Sequence, residues 1–187
     1  MLSDKQIIEG CKAGKRKAQQ LLYRKFHPAM MGICLRYCKS HEEAEDVLVG
    51  GFMTIFTKIK DYRGEGALAA WIRRIFVNAA IDHYRSNLKF QMHSDVAEIE
   101  RVARSEPDFN AKMSADEIMT LVQQLPEGCR MVFNLYAIEG YHHKEIAEML
   151  GISENTSKTQ LLYARKLLQA KLHKLNYEPE TLHRHVG

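Results

Sequence analysis

The sequence lacks the features that would place the chain in a membrane or in an oxidising compartment. No run approaches the roughly 18 consecutive apolar residues of a membrane span. The opening residues, Met1 to Lys5, lack the basic and then apolar order of a secretory signal. The four cysteines form no CxxC pair, and a cytosol would keep them reduced. We therefore expect a cytoplasmic protein with no membrane insertion and no disulfides.

The sequence also has little that favours β-structure. It contains only four prolines, and it shows no strand-like alternation of Val, Ile and Thr. Apolar residues instead recur at helical spacing through most of its 187 residues. This pattern predicts an all-α fold, and the length allows one ordinary domain or two small ones.

Motifs of covalent chemistry are missing as well. There is no Walker loop, no GxSxG and no HExxH, so we expect no enzyme and no cofactor. Cys34 and Cys38 are four residues apart with His27 and His41 nearby, and a metal site could be drawn from them. Cys34 falls on an apolar stripe, which favours structural burial. We therefore expect no metal.

Charge is distributed unevenly along the chain. The net charge is +7 for residues 1–90, −4 for residues 91–117 and +1 for residues 118–187. Within the last segment, residues 154–174 hold one acid and five basic residues, so one predicted helix is strongly basic. Nucleic acid is therefore the leading class of partner.

The N-terminal part is predicted to form four helices. Ser3 with Gln6 and Ser40 with Glu43 have the form of capping boxes, which mark helix starts near residues 4 and 41. A long helix is predicted over 16–38 and another over about 68–86. Within the last of these helices we expect the following residues to face inward: Leu68, Trp71, Ile72, Ile75, Phe76 and Ala79. These four helices would make a compact bundle.

The helix predicted over 41–59 has two distinct sides. Its buried side carries Ala44, Val47, Leu48, Gly51, Phe52, Ile55, Phe56 and Ile59, and its outer side carries Glu45, Asp46, Val49, Gly50 and Met53. Paired glycines inside a helix weaken it by about 1 kcal/mol each relative to alanine.

The weak periodicity and scattered acids of residues 91–114 predict a linker. We therefore divide the chain into a domain over 1–90, the linker over 91–114 and a second domain over 115–187. Helices are expected at about 115–124 and 127–138, the second of which ends at Gly140.

The segment from His143 to Lys174 has helix-turn-helix spacing, with a turn at Gly151, Ile152 and Ser153. On the second helix, the predicted buried stripe leaves Lys158, Thr159, Leu162, Tyr163 and Lys166 on the outward side. Lysine, threonine and leucine can contact base edges in a major groove, whereas Arg165 and Lys166 are placed to hold phosphates. The alternative is an ordinary helical hairpin with a solvated basic face. His142 and His143, at the start of the first helix, are expected to be exposed.

Several strings together carry a family resemblance. They are EEAEDVL at 42–48, DYRGEG at 61–66, WIRRIFVNAAIDHYR at 71–85, LPEGCRMVFNLYAIEGYHHKEIAEMLGIS at 125–153 and TSKTQLLYARKLLQ at 156–169. In this order they resemble bacterial RNA polymerase sigma factors of the sigma-70 family, extracytoplasmic function (ECF) group. The resemblance runs from about residue 4 to residue 175. It implies sigma region 2 in the first domain and sigma region 4, with the helix-turn-helix, in the second.

The resemblance implies roles for particular residues. Core polymerase would bind the outer side of helix 41–59, at Glu45, Asp46, Val49, Gly50 and Met53. The minus ten element would be held by the loop, at Tyr62, Arg63 and Gly64, and by Asn78 of the following helix. Independently of the resemblance, Arg74, Asn78, Arg85 and Lys89 lie on one helical stripe, which suits the capture of an unstacked base and its backbone. The resemblance implies that Lys158, Thr159, Leu162 and Tyr163 read the minus thirty-five element, beside Arg165 and Lys166 at the phosphates.

A promoter-specificity subunit with core RNA polymerase, promoter DNA and an anti-sigma factor as partners is the function this resemblance implies. The chain departs from the family at Val49-Gly50, where a glutamine followed by an acidic residue is usual and helps to bind polymerase. Two alternatives stay open: a sigma-like protein that only sequesters partners, and a stand-alone helix-turn-helix regulator that binds DNA without polymerase.

Overall fold

A computed structural model describes residues 3–88 and 115–177 of the chain. These residues form two units, one on each side of residues 89–114. We call residues 3–88 the N-terminal unit and residues 115–177 the C-terminal unit. Every regular element in both described ranges is helical, which confirms the predicted fold class. The predicted linker and Lys89 lie outside the described residues.

The N-terminal unit contains four helices and one short helical turn: α1 (Asp4–Lys12), α2 (Arg16–Tyr37), α3 (His41–Lys58), a 3-10 turn (Ile59–Asp61) and α4 (Leu68–Leu88). Both predicted helix starts are confirmed. The Ser3 side chain accepts a hydrogen bond from Gln6 N at the start of α1, and Ser40 Oγ accepts one from Glu43 N, 3.1 Å away, at the start of α3. These bonds satisfy backbone N–H groups that have no partner inside the helix.

The core of the N-terminal unit forms where α2, α3 and α4 pack against one another. The side chains of Leu22, Ile55, Ile72 and Phe76 are essentially inaccessible to solvent, and burying each stabilises the fold by about 1.5–3 kcal/mol. Gly51 lies directly against Phe76: an added Cβ would be 2.3 Å from the ring. Gly51 therefore permits the close contact of α3 with α4.

The buried side of α4 is rotated relative to the predicted stripe. Leu68, Ile72 and Phe76 are buried as expected, but Ile75 and Ala79 are only half-buried, and Ala80 is buried instead. The physical reason is that α4 packs against both α2 and α3, so residues on two adjacent sides of the helix leave solvent.

The C-terminal unit contains four further helices: α5 (Ala115–Gln123), α6 (Glu127–Phe133), α7 (His143–Leu150) and α8 (Glu154–Tyr177). A π-helical turn (Asn134–Ile138) continues α6, and Gly140, with φ of 81°, follows it as predicted. Buried Arg130 donates from Nη1 to Gln123 O at 2.9 Å, and this bond ties α6 to the end of α5.

All four cysteines are buried thiols that are not joined in disulfides. Cys34 is inaccessible to solvent, as its position on the apolar stripe predicted. Burial raises its pKa to about 12, so it remains a protonated thiol that packs like a small apolar residue. Among the described residues, no helix has the length and apolar character needed to cross a membrane.

Candidate nucleic-acid interface

The helix-turn-helix has the geometry that the sequence predicted. Gly151 ends α7 in the left-handed region, with φ of 70°, where a residue with a Cβ would be strained. Ile152 N then donates to Ala147 O at 3.1 Å. Ser153 Oγ accepts from Thr156 N at 2.9 Å and caps α8. These local contacts set the turn between α7 and α8.

One side of α8 is buried and the other is exposed. Ser157, Leu161, Ala164 and Leu168 are buried. The exposed residues among those predicted to contact DNA are Lys158, Thr159, Leu162 and Arg165. Leu162 is 53% exposed, so its side chain is accessible to a partner.

Two of the residues predicted on the outward side are placed differently. Tyr163 is partly buried and packs against the cluster that includes Leu121, Leu125 and Leu168. Its ring therefore supports the core of the C-terminal unit, because its position on the helix borders the buried stripe. Lys166 is half-buried, so its long side chain is only partly available.

Lys158 is engaged in an ion pair in the free protein. Its Nζ lies 2.6 Å from Glu154 Oε1, one helical turn earlier. The hydrogen bond from Lys158 and its positive charge lower the pKa of Glu154. A lysine contact to guanine would have to replace this exposed pair, which solvent screening keeps weak.

Sequence reasoning missed two polar residues at the start of α8. Glu154 and Asn155 lie exposed in its first turn, which is the part of a recognition helix that contacts base edges. Asparagine can donate to and accept from adenine, and glutamate can accept from cytosine N4. The sequence signal that could have identified them is their position directly after Ser153, at the start of the second helix of the helix-turn-helix.

The expectation that His143 is exposed was wrong. Its Nδ1 lies 2.9 Å from Oγ of the fully buried Ser157, and its ring stacks on Tyr136 with a centroid distance of 4.6 Å. Burial, followed by the charge of Lys158, lowers the pKa of His143. This group links the π-helical turn, α7 and α8, and its members are too far apart in sequence to be recognised by spacing.

The outer side of α3 is exposed along its length, as predicted. Glu45, Asp46, Val49, Gly50 and Met53 are all exposed. Val49 is 62% and Met53 64% exposed, so α3 presents an apolar pair flanked by acidic groups. An exposed apolar pair of this kind is typical of a protein-binding surface.

A groove of about 510 Å³ runs between α3 and α4. Asn78 lines this groove from α4, opposite Asp46 and Gly50 from α3. Gly50 has open space where a Cβ would be, which helps to keep the groove wide. The sequence assigned these residues to two separate surfaces, and the structure brings them together. Arg74 and Arg85 are exposed on the same helix as Asn78.

The loop before α4 is organised by Tyr62. The Tyr62 ring is buried and contacts Trp71 at a centroid distance of 5.2 Å, and its hydroxyl donates to Gly66 O at 2.9 Å. Tyr62 therefore shapes the loop and has no exposed face for a base. Arg63 and Gly64 are exposed beside it. Trp71 is half-buried, and its ring supports the loop through the contact with Tyr62.

The C-terminal unit contains a capped helix-turn-helix with an exposed polar face. This feature is typical of helical DNA-binding proteins. Comparison with protein families is more specific. Residues 22–89 match the family described as Sigma-70 region 2, and residues 115–168 match Sigma-70, region 4. The chain belongs to the sigma-70 family, in its extracytoplasmic function (ECF) group.

Two named relatives agree with this assignment, and one solved structure is similar over most of the chain without adding to the argument. The chain is 28% identical over 184 residues to the RNA polymerase sigma-H factor of Pseudomonas aeruginosa, covering 92% of this chain and 95% of that protein. It is 26% identical to the ECF RNA polymerase sigma-E factor of Haemophilus influenzae, covering 93% and 97%. The solved sigma factor RpoE of Bartonella quintana, in complex with the anti-sigma factor NepR, is 22% identical, with a TM-score of 0.48, over 84% of this chain and 97% of that chain.

Proposed function

We propose that the protein is a promoter-specificity subunit of RNA polymerase. It binds the core enzyme, directs it to promoters with minus ten and minus thirty-five elements, and catalyses no reaction itself. The observation that carries this proposal is the presence, in one chain and in this order, of a region 2 bundle and a region 4 helix-turn-helix. Two relatives whose alignments cover over nine-tenths of the chain are named as RNA polymerase sigma factors. We place the protein in the cytoplasm, where transcription occurs.

In this proposal the N-terminal unit serves both polymerase and the minus ten strand. The exposed side of α3 contacts the core enzyme. The groove beside it, with Asn78, holds a base that has left the duplex, and Arg63, Arg74 and Arg85 follow the strand's phosphates. A pocket that binds an extruded base better than a paired one shifts the equilibrium toward the open promoter. Tyr62 acts by shaping the loop.

The C-terminal unit reads the minus thirty-five duplex. Lys158, Thr159 and Leu162 face base edges, and Asn155 joins them from the first turn of α8. Arg165 and Lys166 hold phosphates, which fixes the register of the helix on DNA without reading sequence.

Residues 1–90, 91–114 and 115–187 are the three functional parts in this proposal. An anti-sigma factor is the expected regulator, and the exposed apolar pair of Val49 and Met53 offers it a binding surface.

Binding to core polymerase and promoter opening can be tested separately. We expect the purified chain to co-elute with core polymerase on a sizing column. Asn78→Ala should still co-elute but should reduce open-complex formation, measured by permanganate reactivity of unpaired thymines. Ser86→Ala, an exposed change elsewhere on α4, is the matched control. Loss of polymerase binding in Asn78→Ala would instead assign Asn78 a structural role.

A sequestering protein is a second candidate, and Val49-Gly50 favours it. These residues lie exposed at the centre of the α3 surface, where the family usually has a polar pair. Because Gly50 has open space beside it, the double variant Val49→Gln and Gly50→Glu fits the structure. If the wild type binds core polymerase weakly, the double variant should bind more tightly. A wild-type chain that binds an anti-sigma factor but neither binds core polymerase nor starts transcripts would establish the sequestering function.

A further inference from the structure

Three side chains with different metal-binding groups meet at one end of the N-terminal unit. Cys38 follows the last residue of α2, Glu43 lies in the first turn of α3, and His83 lies near the end of α4. A ligand atom of each lies within 4.8 Å of the other two. Thiolate, carboxylate and imidazole are the groups with which proteins bind Zn²⁺. We propose that Cys38, Glu43 and His83 form a site for a divalent transition-metal ion of the Zn²⁺ type.

The spacing of the three groups is close to what a tetrahedral ion requires. His83 Nε2 and Glu43 Oε2 are 3.9 Å apart, whereas two ligands at about 2.0–2.1 Å from one tetrahedral ion lie about 3.3 Å apart. Small rotations of the side chains therefore close the site. Three protein ligands leave the fourth coordination position for water. The site would therefore be of the open kind, unlike structural zinc sites that are closed by four protein ligands.

The surroundings orient the ligands. Glu43 Oε2 accepts a hydrogen bond from Lys39 N at 2.9 Å, and this bond fixes the carboxylate beside Cys38. Such supporting contacts strengthen metal binding. Cys38 is only 5% exposed, which shields its sulfur from bulk water, whereas Glu43 and His83 are half-buried.

A cation also has a path to the site. His83 lines the groove between α3 and α4 together with Asp46 and Asp82, and these two carboxylates attract positive ions. The ion would tie the ends of α2, α3 and α4 together directly beside Asn78. The cluster differs from the one drawn from sequence spacing, because Cys34 is in the core and His41 pairs with Glu45 at 3.3 Å.

A hydrogen bond is the rival use of His83. Its Nε2 has one lone pair to offer, and Asn87 Nδ2 lies 3.1 Å from it. In the absence of a metal this nitrogen accepts a hydrogen bond from Asn87, and a metal ion would displace that bond. The two arrangements differ in one measurable respect, since only a metal ion forms a bond with the Cys38 sulfur.

Cobalt titration of the reduced, metal-free, full-length protein tests the proposal. Co²⁺ bound by a cysteine thiolate gives a near-ultraviolet charge-transfer band, which histidines elsewhere on the chain cannot produce. We expect this band in the wild type, together with its loss on addition of Zn²⁺. Cys38→Ser should abolish the band, and His83→Gln should weaken Co²⁺ binding at least about tenfold. Cys11→Ser and His41→Gln are the matched controls and should behave like the wild type.

Far-UV circular dichroism checks that each variant is folded. His83 is half-buried and near a helix end, so His83→Gln decides the matter even if Cys38→Ser does not fold. A wild type without the thiolate band, or a folded His83→Gln variant with unchanged Co²⁺ affinity, would overturn the metal site. Neither outcome affects the proposed role in transcription, which does not depend on the ion.

Discussion

The two units build their candidate DNA surfaces in different ways. In the C-terminal unit, the exposed residues predicted to read DNA lie on successive turns of α8. In the N-terminal unit, the surface combines α3, α4 and the loop at Tyr62, Arg63 and Gly64. A recognition surface on one helix depends on the placement of that helix. A surface shared by several elements depends on each contact between them.

Because of this difference, the residues that stabilise the fold and the residues that bind are more clearly separated in the C-terminal unit than in the N-terminal unit. On α8, adjacent residues have separate duties, since Leu161 is buried and Leu162 is exposed. Between α3 and α4, the same helical turn holds Gly51 against Phe76 and Gly50 at the groove. Changes in the N-terminal unit should therefore alter folding and binding together more often than changes on α8.

The neighbours Leu161 and Leu162 give the largest expected contrast. Leu161→Ala removes a side chain that is 4% exposed, and it should lower the free energy of unfolding by about 2–5 kcal/mol. Leu162→Ala should leave the free energy of unfolding within about 0.5 kcal/mol of the wild type and should weaken DNA binding instead. Urea denaturation and promoter binding measure the two effects. Equal destabilisation by both variants would contradict the separation of duties on α8.

The neighbours Gly50 and Gly51 sharpen the comparison from the other side. Gly51→Ala forces a Cβ into the Phe76 ring and should destabilise the N-terminal unit by about 1–3 kcal/mol. Gly50→Ala meets no atom within 4 Å and should stabilise α3 by up to about 1 kcal/mol. The chain has one tryptophan, Trp71, so its fluorescence in urea reports on the N-terminal unit. A Gly51→Ala variant as stable as the wild type would show that the α3–α4 contact is looser than described.

Lys158 and Arg165 test how the C-terminal unit divides base and phosphate contacts. Lys158→Ala should reduce the discrimination between the preferred minus thirty-five sequence and a mismatched one by about 1–3 kcal/mol. Arg165→Ala should weaken binding to both sequences alike and lower the salt dependence. Fluorescence anisotropy with the polymerase holoenzyme measures both. A Lys158→Ala variant that weakens both sequences equally would assign Lys158 to a phosphate.

The smallest expected effect is a pH dependence confined to the C-terminal unit. Burial and the charge of Lys158 lower the pKa of His143 in the folded chain, so the unfolded chain takes up the proton first. The stability that neutral His143 provides is present above about pH 6.5 and is lost as the pH falls below that value. Glu154 and Arg165 also act on this ring, the former opposing the shift and the latter adding to it.

Replacing His143 removes this titration. The wild type and His143→Gln should differ in free energy of unfolding by about 1 kcal/mol near neutral pH, and the difference should shrink in acid. Circular dichroism in urea at about pH 7.5 and about pH 5.5 measures it, with Trp71 fluorescence as the internal control for the other unit. Parallel pH dependence in both proteins would show that His143 is not the titrating group.

Features set by short-range chemistry could be predicted from the sequence. The caps at Ser3 and Ser40 and the turn at Gly151 follow from contacts within four residues, and all three were placed correctly. The shared groove of Asn78 and Gly50 could not be predicted, because it depends on how α3 and α4 are rotated against each other. The group of His143, Ser157 and Tyr136 and the burial of Tyr62 could not be predicted either, because they too depend on how elements pack in three dimensions.

Transcription from double-stranded promoter fragments with purified core polymerase tests the central claim most directly. Genomic fragments should be transcribed with and without the full-length chain, and the 5′ ends of the RNA should be mapped. We predict discrete start sites that appear only when the chain is present. The same start sites without the chain, or no new start sites although the chain is bound to core polymerase, would contradict its role as a promoter-specificity subunit.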